Sequence, residues 1–238
     1  MEIFLDTANL DEIERWLAFG VLDGVTTNPS VLLEDGAYDV QRRAIEIAGL
    51  VEPRPVSVEV TSNQPDEMVR QAHEYAGWAR NIVVKVPVIN EFGEPSLGVV
   101  RQLEREGVRV NVTACLSFGQ ALLGAKAGAS YVSVFGGRIA DEGGDAPGLL
   151  RSLRHWLDLW GNPARIILGS VRSTMDIQAG ALAGAHVVTA PPAFLDRFVD
   201  HRYTRDTVRQ FNDDAAAAIA RMDELQAVAA RAADGDGA

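Results

Sequence analysis

Residues 81–88 read Asn-Ile-Val-Val-Lys-Val-Pro-Val, and this run decides the fold. Its apolar residues do not alternate with polar ones, which is typical of a strand that is buried on both faces. Strands of that kind occur in parallel sheets whose faces are covered by helices. The run therefore predicts an α/β protein, and it places Lys85 where a charge is costly.

Seven further β-rich runs alternate with amphipathic helical patterns along nearly the whole chain. The eight predicted strands are Ile3–Thr7, Gly24–Thr27, Val56–Val60, Ile82–Pro87, Arg109–Thr113, Tyr131–Phe135, Arg165–Gly169 and His186–Thr189. The helical pattern after the last strand begins at Thr204. Eight such units without a break in composition predict a single-domain (β/α)8 TIM barrel with a C-terminal helix over residues 1–232. The alternative is a doubly wound open sheet, but no Gly-x-Gly-x-x-Gly motif follows the first strand.

The composition is that of an ordinary globular protein. The 238 residues, 47% hydrophobic and 23% charged, suffice for a large core, and no apolar run reaches the ~20 residues of a membrane span. The single cysteine, Cys115, excludes an internal disulfide, and together with the lack of signal-peptide features it favours a cytoplasmic location. A net charge of −11 argues against nucleic acid or anionic membranes as partners. Residues 233–238 are predicted to form a disordered tail.

Lysine is rare in this chain. Among 22 basic residues only Lys85 and Lys126 are lysines, and the other 20 (22 − 2) are arginines. Lysine can lose its proton and condense with a carbonyl, whereas arginine cannot. The position of Lys85 therefore indicates a functional amine, although a buried structural ion pair would also place a lysine there. Lys126 lies at the end of a helical pattern, where a cation is favourable.

Functional groups of such barrels lie at the carboxyl ends of the strands. The predicted strands carry there two carboxylates, one lysine, two arginines and several hydroxyls and amides: Asp6, Thr26, Thr27, Asn28, Glu59, Lys85, Asn111, Thr113, Ser133, Arg138, Ser170 and Arg172. This set contains no cluster of metal ligands, so no metal site is predicted. Cys115 has no histidine placed to activate it and is interpreted as a packed core residue.

The string Gly24-Val25-Thr26-Thr27-Asn28-Pro29-Ser30 resembles the signature of the transaldolase family. A strand end followed by a turn, with Ser30 as a helix N-cap, explains only part of it. Further segments agree with the family in order: Phe4–Thr7, Val84–Pro87, Val110–Thr113, Ser133–Arg138 and Gly169–Arg172. The resemblance spans Met1 to about Asp214 and is greatest to the small transaldolases and to the fructose 6-phosphate aldolases that share their fold.

The resemblance implies class I aldol chemistry on sugar phosphates without a cofactor. Lys85 would form a Schiff base with the ketose, and Asp6 would take the proton of the C4 hydroxyl. Glu59 and Thr113 would hold a water that shuttles protons. The residues expected to bind the three-carbon unit and its surroundings are Thr26, Thr27, Asn28, Asn111, Ser133 and Phe135. Arg138, Ser170 and Arg172 would bind the phosphate, and ordinary surface salt bridges are the alternative for the two arginines.

Two positions distinguish a transferase from an aldolase within this family. The aldolases carry glutamine at the position of Glu59 and tyrosine at the position of Phe135. Both positions here are of the transaldolase type, which predicts transfer of a dihydroxyacetone unit from a ketose phosphate to an aldose or aldose phosphate acceptor. Free cleavage of fructose 6-phosphate and a non-catalytic sugar-phosphate-binding barrel are the alternatives.

Two further features bear on the acceptor and on assembly. Residues 88–96 form a longer segment than the short turn usual in the family, which leaves the acceptor sugar open. The resemblance also implies a homo-oligomer, a pentamer or a decamer that uses the C-terminal helix. The apolar residues of this helix, which suit that role or would cover the barrel, are Phe211, Ala215, Ile219, Met222, Leu225 and Val228.

Overall fold

The computed structural model of the chain describes residues 1–36 and 39–235, with side chains through residue 230. The chain divides into two compact units, Met1–Leu195 and Asp196–Ala238. The first contains the whole sheet, and the second consists mainly of one long helix.

Eight parallel strands form the first unit. They are β1 (Glu2–Asp6), β2 (Gly24–Thr26), β3 (Val56–Glu59), β4 (Ile82–Pro87), β5 (Val110–Cys115), β6 (Tyr131–Phe135), β7 (Arg165–Gly169) and β8 (Val187–Ala190). Each strand pairs with the next in sequence order, and β8 closes on β1. The predicted (β/α)8 barrel is confirmed, and every predicted strand is present with its ends within two residues of the prediction.

Helices follow the strands throughout the described residues. They are α1 (Leu10–Ala18), α2 (Pro29–Glu34), α3 (Val40–Val51), α4 (Pro65–Ala76), α5 (Leu97–Arg105), α6 (Phe118–Lys126), α7 (Gly136–Asp141), α8 (Ala146–Trp160), α9 (Thr174–Leu182), α10 (Pro192–Val199) and α11 (Arg202–Gly235). Within the described part of the chain, none of them has the length and apolarity needed to span a membrane. The last helix continues past the predicted start of the tail at residue 233. Residues 236–238 lie outside the described residues, and their disorder stays a prediction.

The start of α2 corrects one expectation from the sequence. The helix is capped by Asn28 and not by Ser30, because the Asn28 side chain accepts a hydrogen bond from the backbone N–H of Val31 over 3.1 Å. Pro29 then occupies the first helical turn, where its missing N–H is not needed. The helix therefore begins two residues earlier than the sequence suggested, directly at the end of β2.

The apolar core has two parts. A large cluster lies between the sheet and the surrounding helices, and a smaller one fills the inside of the barrel: Phe4, Val83, Tyr131, Ile167 and Val187. The Phe4 ring needs the glycine opposite to it, because a Cβ at Gly24 would lie 2.7 Å from the ring. The inner cluster fills the barrel, and the carboxyl ends of the strands lie above it.

Candidate active site

A polar layer lies directly above the inner apolar cluster. Because side chains of a strand alternate between its two faces, the residues two positions further along also face the interior. They are Asp6, Lys85, Ser133, Gly169 and Thr189. Strand register places Glu59 on one side of Lys85 and Asn111 on the other. The barrel is thus closed by apolar side chains below and lined by polar ones toward its carboxyl-end mouth.

Lys85 is buried, and its ammonium has two acceptors. Its Nζ lies 3.0 Å from Oε2 of Glu59 and donates over 3.0 Å to the backbone oxygen of Thr27. The side chain of Lys85 is 7% exposed and that of Glu59 20%, so the carboxylate is the more accessible partner. This contact fits both interpretations of Lys85, the functional amine and the structural ion pair. The groups around it bear on the choice between them.

The hydroxyl of Thr113 is buried on β5, the strand that pairs with the strand of Lys85. Among the described residues, its Oγ1 has no hydrogen-bond partner, although the residue is fully buried. Such a group costs about 1–3 kcal/mol when nothing satisfies it. A β-bulge between Val112 and Cys115 interrupts the register here, and Ala114 adopts φ +59°, which is strained for a residue with a Cβ. An ion pair that served only stability would need neither the β-bulge in β5 nor the unsatisfied hydroxyl of Thr113.

Asn111 and Ser133 extend the layer beyond Lys85. Ser133 Oγ donates to Asn111 Oδ1 over 2.7 Å, and both residues are buried. The Nδ2 atom of Asn111 lies 3.4 Å from Oγ of Ser57, a long contact. An amide nitrogen carries two hydrogens, so Asn111 keeps a donor for a hydroxyl of a bound ligand.

Asp6 is a half-buried carboxyl at the end of β1. Burial raises its pKa above the ordinary value of 3.8, and the Lys85 ammonium and a hydrogen bond from Thr26 act in the opposite direction. The Thr26 hydroxyl donates to Asp6 Oδ1 over 2.8 Å. The nearby carboxylates of Glu59 and Asp35 add to the upward shift of the pKa. A carboxyl that holds its proton more tightly than usual is better suited than an ordinary one to return a proton as well as to accept it.

Thr27 and Asn28, which follow β2, contribute in different ways. The Thr27 hydroxyl already donates to the backbone oxygen of Ser57 over 2.9 Å, and its carbonyl holds Lys85. The Oδ1 atom of Asn28 caps α2. The amide nitrogen of Asn28 keeps two donors. Between these two residues, Asn28 has the side chain that remains able to donate to a ligand.

The rim of the mouth above β6 and β7 is held by a close backbone approach. The N–H of Gly137, in the first turn of α7, donates to the carbonyl of Ser170 over 2.9 Å. Ser170 adopts φ +55°, in the left-handed region. The guanidinium of Arg138 lies over the Phe135 ring, with Cζ 5.5 Å from the ring centroid. The structure therefore brings Phe135, Arg138 and Ser170 to one edge of the mouth.

Arg172 lies on the same β7–α9 connection as Ser170 and is ion-paired. Its Nη2 atom is 3.0 Å from Oδ2 of Asp141 at the end of α7, and both side chains are more than half exposed. The surface ion pair that the sequence left open is thus found for this arginine. Exposed pairs of this kind contribute about 0–1 kcal/mol, so another anion can replace the carboxylate.

Two residues of the site were missed by sequence reasoning. The hydroxyl of Thr189 on β8 lies 2.6 Å from the hydroxyl of Thr26. Its inward position could have been read from Val187, two residues earlier in the same strand. Asp141 had no such signal, because it lies on a six-residue helix that periodicity did not reveal.

Cys115 is a core residue, as predicted. It is fully buried and unpaired, and burial raises the pKa of its thiol to about 12. A thiol with such a pKa is not a nucleophile near neutral pH.

Comparisons with known proteins agree with this geometry. A family model described as Transaldolase/Fructose-6-phosphate aldolase matches residues 3–235. A probable transaldolase of Desulforudis audaxviator is 44% identical over 216 residues, which cover 91% of this chain and 98% of that protein. A probable transaldolase of Lactiplantibacillus plantarum is 41% identical over 214 residues, which cover 90% and 96%.

Solved structures show a similar barrel in more distant proteins. A mandelate oxidase mutant with an FMN adduct superposes with a TM-score of 0.54 at 14% identity, over 76% of this chain and 59% of that chain. At that identity the likeness concerns the fold alone. The family match and the close relatives go further: the chain belongs to the transaldolase/fructose-6-phosphate aldolase family and is an enzyme of the transaldolase type.

Proposed function

We propose that the enzyme transfers a dihydroxyacetone unit from a ketose phosphate to an aldose or aldose phosphate through a Schiff base on Lys85. One observation carries the proposal. A buried lysine faces the barrel mouth in contact with Glu59, while the neighbouring strand holds the buried Thr113 hydroxyl that has no partner among the described residues. An amine, a base and an unsatisfied hydroxyl are the groups that imine formation requires.

The first step would use the Lys85–Glu59 contact. At 3.0 Å, the Glu59 carboxylate is within reach to take a proton from the ammonium, directly or through a water held with Thr113. The free amine then attacks the ketose carbonyl at C2. The resulting carbinolamine loses its oxygen as water, for which Glu59 returns the proton. The product is a protonated imine, so the positive charge that began on Lys85 is conserved.

The second step would use Asp6. As its carboxylate takes the proton of the C4 hydroxyl, the bond between C3 and C4 breaks, and its electron pair moves into the imine to give an enamine. The aldehyde product leaves. An acceptor aldehyde then enters, the enamine carbon attacks it, and Asp6 returns the proton to the new hydroxyl. Water shuttled by Glu59 and Thr113 finally releases the product ketose from Lys85.

The rest of the layer would hold the three-carbon unit. Asn28 and Asn111 offer amide hydrogens, and the Ser133 hydroxyl lies beside Asn111. These groups can bind the C1 and C3 hydroxyls while the imine forms at C2. Thr27 supports the site mainly through its backbone, because its carbonyl positions the Lys85 amine.

The phosphate would bind at the edge formed by α7 and the β7–α9 connection. The Arg138 and Arg172 guanidinium groups match phosphate oxygens, and the Ser170 hydroxyl adds a donor. This cluster is supported by the contact between Gly137 and Ser170, which fixes the two segments against each other. Positive charge concentrated there serves an anionic substrate in a chain whose net charge is −11.

Transfer is favoured over free aldol cleavage by Glu59 and Phe135. A phenyl ring offers no proton to the enamine, so the intermediate persists until an acceptor arrives. The aldolases of the family carry a tyrosine at the position of Phe135, which supplies such a proton. Release of dihydroxyacetone from fructose 6-phosphate without an acceptor measures the alternative directly.

A cytoplasmic homo-oligomer completes the proposal. The single cysteine is buried and unpaired, in keeping with a reducing compartment. Large apolar side chains of α11 are exposed in the isolated chain, among them Phe211 at 63% and Val228 at 63%. The family resemblance suggests a ring of five or ten chains, and a second copy would cover these side chains.

Borohydride trapping tests the Schiff base. Incubation with fructose 6-phosphate and borohydride should leave one three-carbon adduct on the peptide that contains Lys85. The variant Lys85→Arg keeps the charge but cannot condense, so it should give neither adduct nor turnover. Lys126→Arg is the matched control and should behave like the wild type. An adduct on Lys126, or no adduct on the wild type, would overturn the proposal.

A further inference from the structure

Three side chains on neighbouring strands form a hydrogen-bonded chain that ends at Asp6. The Thr26 hydroxyl donates to Asp6 Oδ1 over 2.8 Å, and the hydroxyls of Thr26 and Thr189 are 2.6 Å apart. Thr26 is 3% and Thr189 6% exposed. The three residues lie on β2, β8 and β1, and β1 pairs with both of the other strands.

The direction of this chain follows from counting hydrogens. A hydroxyl has one hydrogen, and an ionised carboxylate can only accept. When Asp6 is ionised, the Thr26 hydrogen points to its Oδ1 atom. In the short hydrogen bond between the two threonines, the Thr189 hydroxyl must then donate to the Thr26 hydroxyl. A hydroxyl that accepts a hydrogen bond is polarised into a stronger donor, so Thr189 strengthens the bond from Thr26 to Asp6.

We propose that Thr189 is a positioning residue of the reaction, which holds the Thr26 hydroxyl on Asp6 and so favours the ionised carboxylate that accepts the substrate proton. The inference rests on the proposed role of Asp6. The Thr189 hydroxyl is hydrogen-bonded to Thr26 and acts on Asp6 only through that residue. Its effect on catalysis is therefore exerted through the protonation of Asp6.

The charges around Asp6 explain why the loss of one hydrogen bond should be measurable. Burial is the largest influence and favours the protonated form, and the carboxylates of Glu59 on β3 and Asp35 after α2 act in the same direction. The Lys85 ammonium on β4 and the hydrogen bond from Thr26 favour the ionised form. Few groups oppose the upward shift of the Asp6 pKa, so weakening one of them should raise that pKa further.

The pH dependence of kcat/KM tests the inference. Thr189→Val keeps the shape of the side chain and removes the hydroxyl. In this variant the acid limb of the kcat/KM profile should move to higher pH by about 0.5–1 unit, the effect of one weakened hydrogen bond. Activity on the alkaline plateau should change little. On the acid side this is a loss of about 3- to 10-fold. Thr189→Ser keeps the hydroxyl and should return the limb to its wild-type position.

Ser57→Ala is the matched control. It also removes a buried hydroxyl from the barrel interior, but that hydroxyl faces Asn111 and not the carboxyl. Whatever its effect on the rate, the acid limb of this variant should stay at the wild-type pH. A limb that moves equally in Ser57→Ala and Thr189→Val would show general loosening of the layer and would overturn the inference.

A direct titration separates this inference from the proposed function. Carbon-13 NMR of the Asp6 carboxyl, assigned with Asp6→Asn, reports its pKa without relying on catalysis. If Thr189→Val raises that pKa while Asp6→Asn stays active, the effect of Thr189 on Asp6 is confirmed and the catalytic role of Asp6 is wrong. If the Asp6 pKa is unchanged in folded Thr189→Val, or rises equally in Thr189→Ser, the inference about Thr189 is overturned. Thr189→Ala gives the same readout if the valine variant folds poorly.

Discussion

In our proposal the half-buried carboxyl of Asp6 lowers stability while it supports the chemistry. Burial raises the pKa of Asp6 above 3.8, so the folded chain holds this proton more tightly than the unfolded chain does. The stability gained from protonated Asp6 is complete below pH 3.8 and is lost as the pH rises through the folded-state pKa. Above the folded-state pKa the ionised carboxylate therefore destabilises the fold.

Asp6→Asn should be inactive but more stable than the wild type at pH 7–8. The amide keeps the shape and removes the buried charge, so the unfolding midpoint should rise by about 2–4 °C per kcal/mol of relief. The gain should vanish near pH 3, where the aspartate is protonated in both states. Turnover should fall by about 10²- to 10⁴-fold, as for loss of a general base. Calorimetry at several pH values measures the gain, and equal stabilisation at pH 3 and pH 8 would contradict this account.

Phe135→Tyr should move the enzyme toward free aldol cleavage. The added hydroxyl would offer a proton to the enamine, so release of dihydroxyacetone without an acceptor should rise at least about 10-fold. Combining it with Glu59→Gln should give at least as large a rise. A coupled assay with fructose 6-phosphate alone, and then with an added aldose, gives the ratio of cleavage to transfer. A wild type that cleaves as fast as it transfers would reverse the ranking of the two activities.

At the scale of elements, the proposed phosphate site depends on how closely α7 approaches the β7–α9 connection. A Cβ built at Gly137 would overlap the carbonyl oxygen of Ser170 and would lie 2.9 Å from Cγ of Arg172. Both neighbours belong to the connection that the proposal assigns to phosphate binding. Gly137 is therefore required for this close packing, and a larger residue there should disturb the proposed phosphate site.

Gly137→Ala should weaken phosphate binding more than it weakens chemistry. The connection must shift to accept the methyl group, so KM for fructose 6-phosphate should rise at least about 10-fold, the loss of one well-placed charged contact. KM for unphosphorylated substrates should change much less. Gly49→Ala is the control, because a Cβ in that part of α3 meets nothing within 4 Å. Equal losses on both substrate classes would indicate a general folding defect instead.

The elements themselves show what the sequence could predict and what it could not. Strands were predictable because most are short β-rich runs, largely buried, between turn signals. The short helices α7 and α10 were not predicted, because six to eight residues hold at most about two turns and show no clear period. At the site, residue types and strand ends gave the candidates. The hydrogen-bonding and ion-pair partners of Thr27 and Arg172 could not be predicted. They lie on other elements, whose positions relative to these residues are set only when the barrel closes.

At the scale of the whole molecule, charge is arranged so that a local positive site is possible. Many arginines are neutralised on their own helices by acidic residues three or four positions away, as in the pairs of Arg70 with Glu67 and Glu74 and of Arg154 with Asp158. The net charge of −11 repels anions at a distance. Binding of a sugar phosphate must therefore come from short-range contacts at the mouth.

The second unit gives the whole molecule its means of assembly in our proposal. A single amphipathic helix gains most of its stability by packing its apolar face. Along α11 the apolar residues Phe211, Ile219, Met222 and Leu225 are 53–63% exposed in the isolated chain. Their spacings of eight, three and three residues place them along one side of the helix. A second copy of the chain would supply the missing contacts.

Ile219→Glu should therefore weaken assembly, because it places a charge in the middle of the proposed contact face. Multi-angle light scattering should show the wild type at a multiple of the monomer mass and the variant shifted toward monomer, with assembly weakened at least about 10-fold. Ala217→Glu adds the same charge about half a turn away and should leave the assembly intact. Since the proposed catalytic residues lie on the barrel, the monomeric variant should still trap the Schiff base on Lys85. A monomeric wild type, or equal dissociation by both variants, would show that this face of α11 does not hold the chains together.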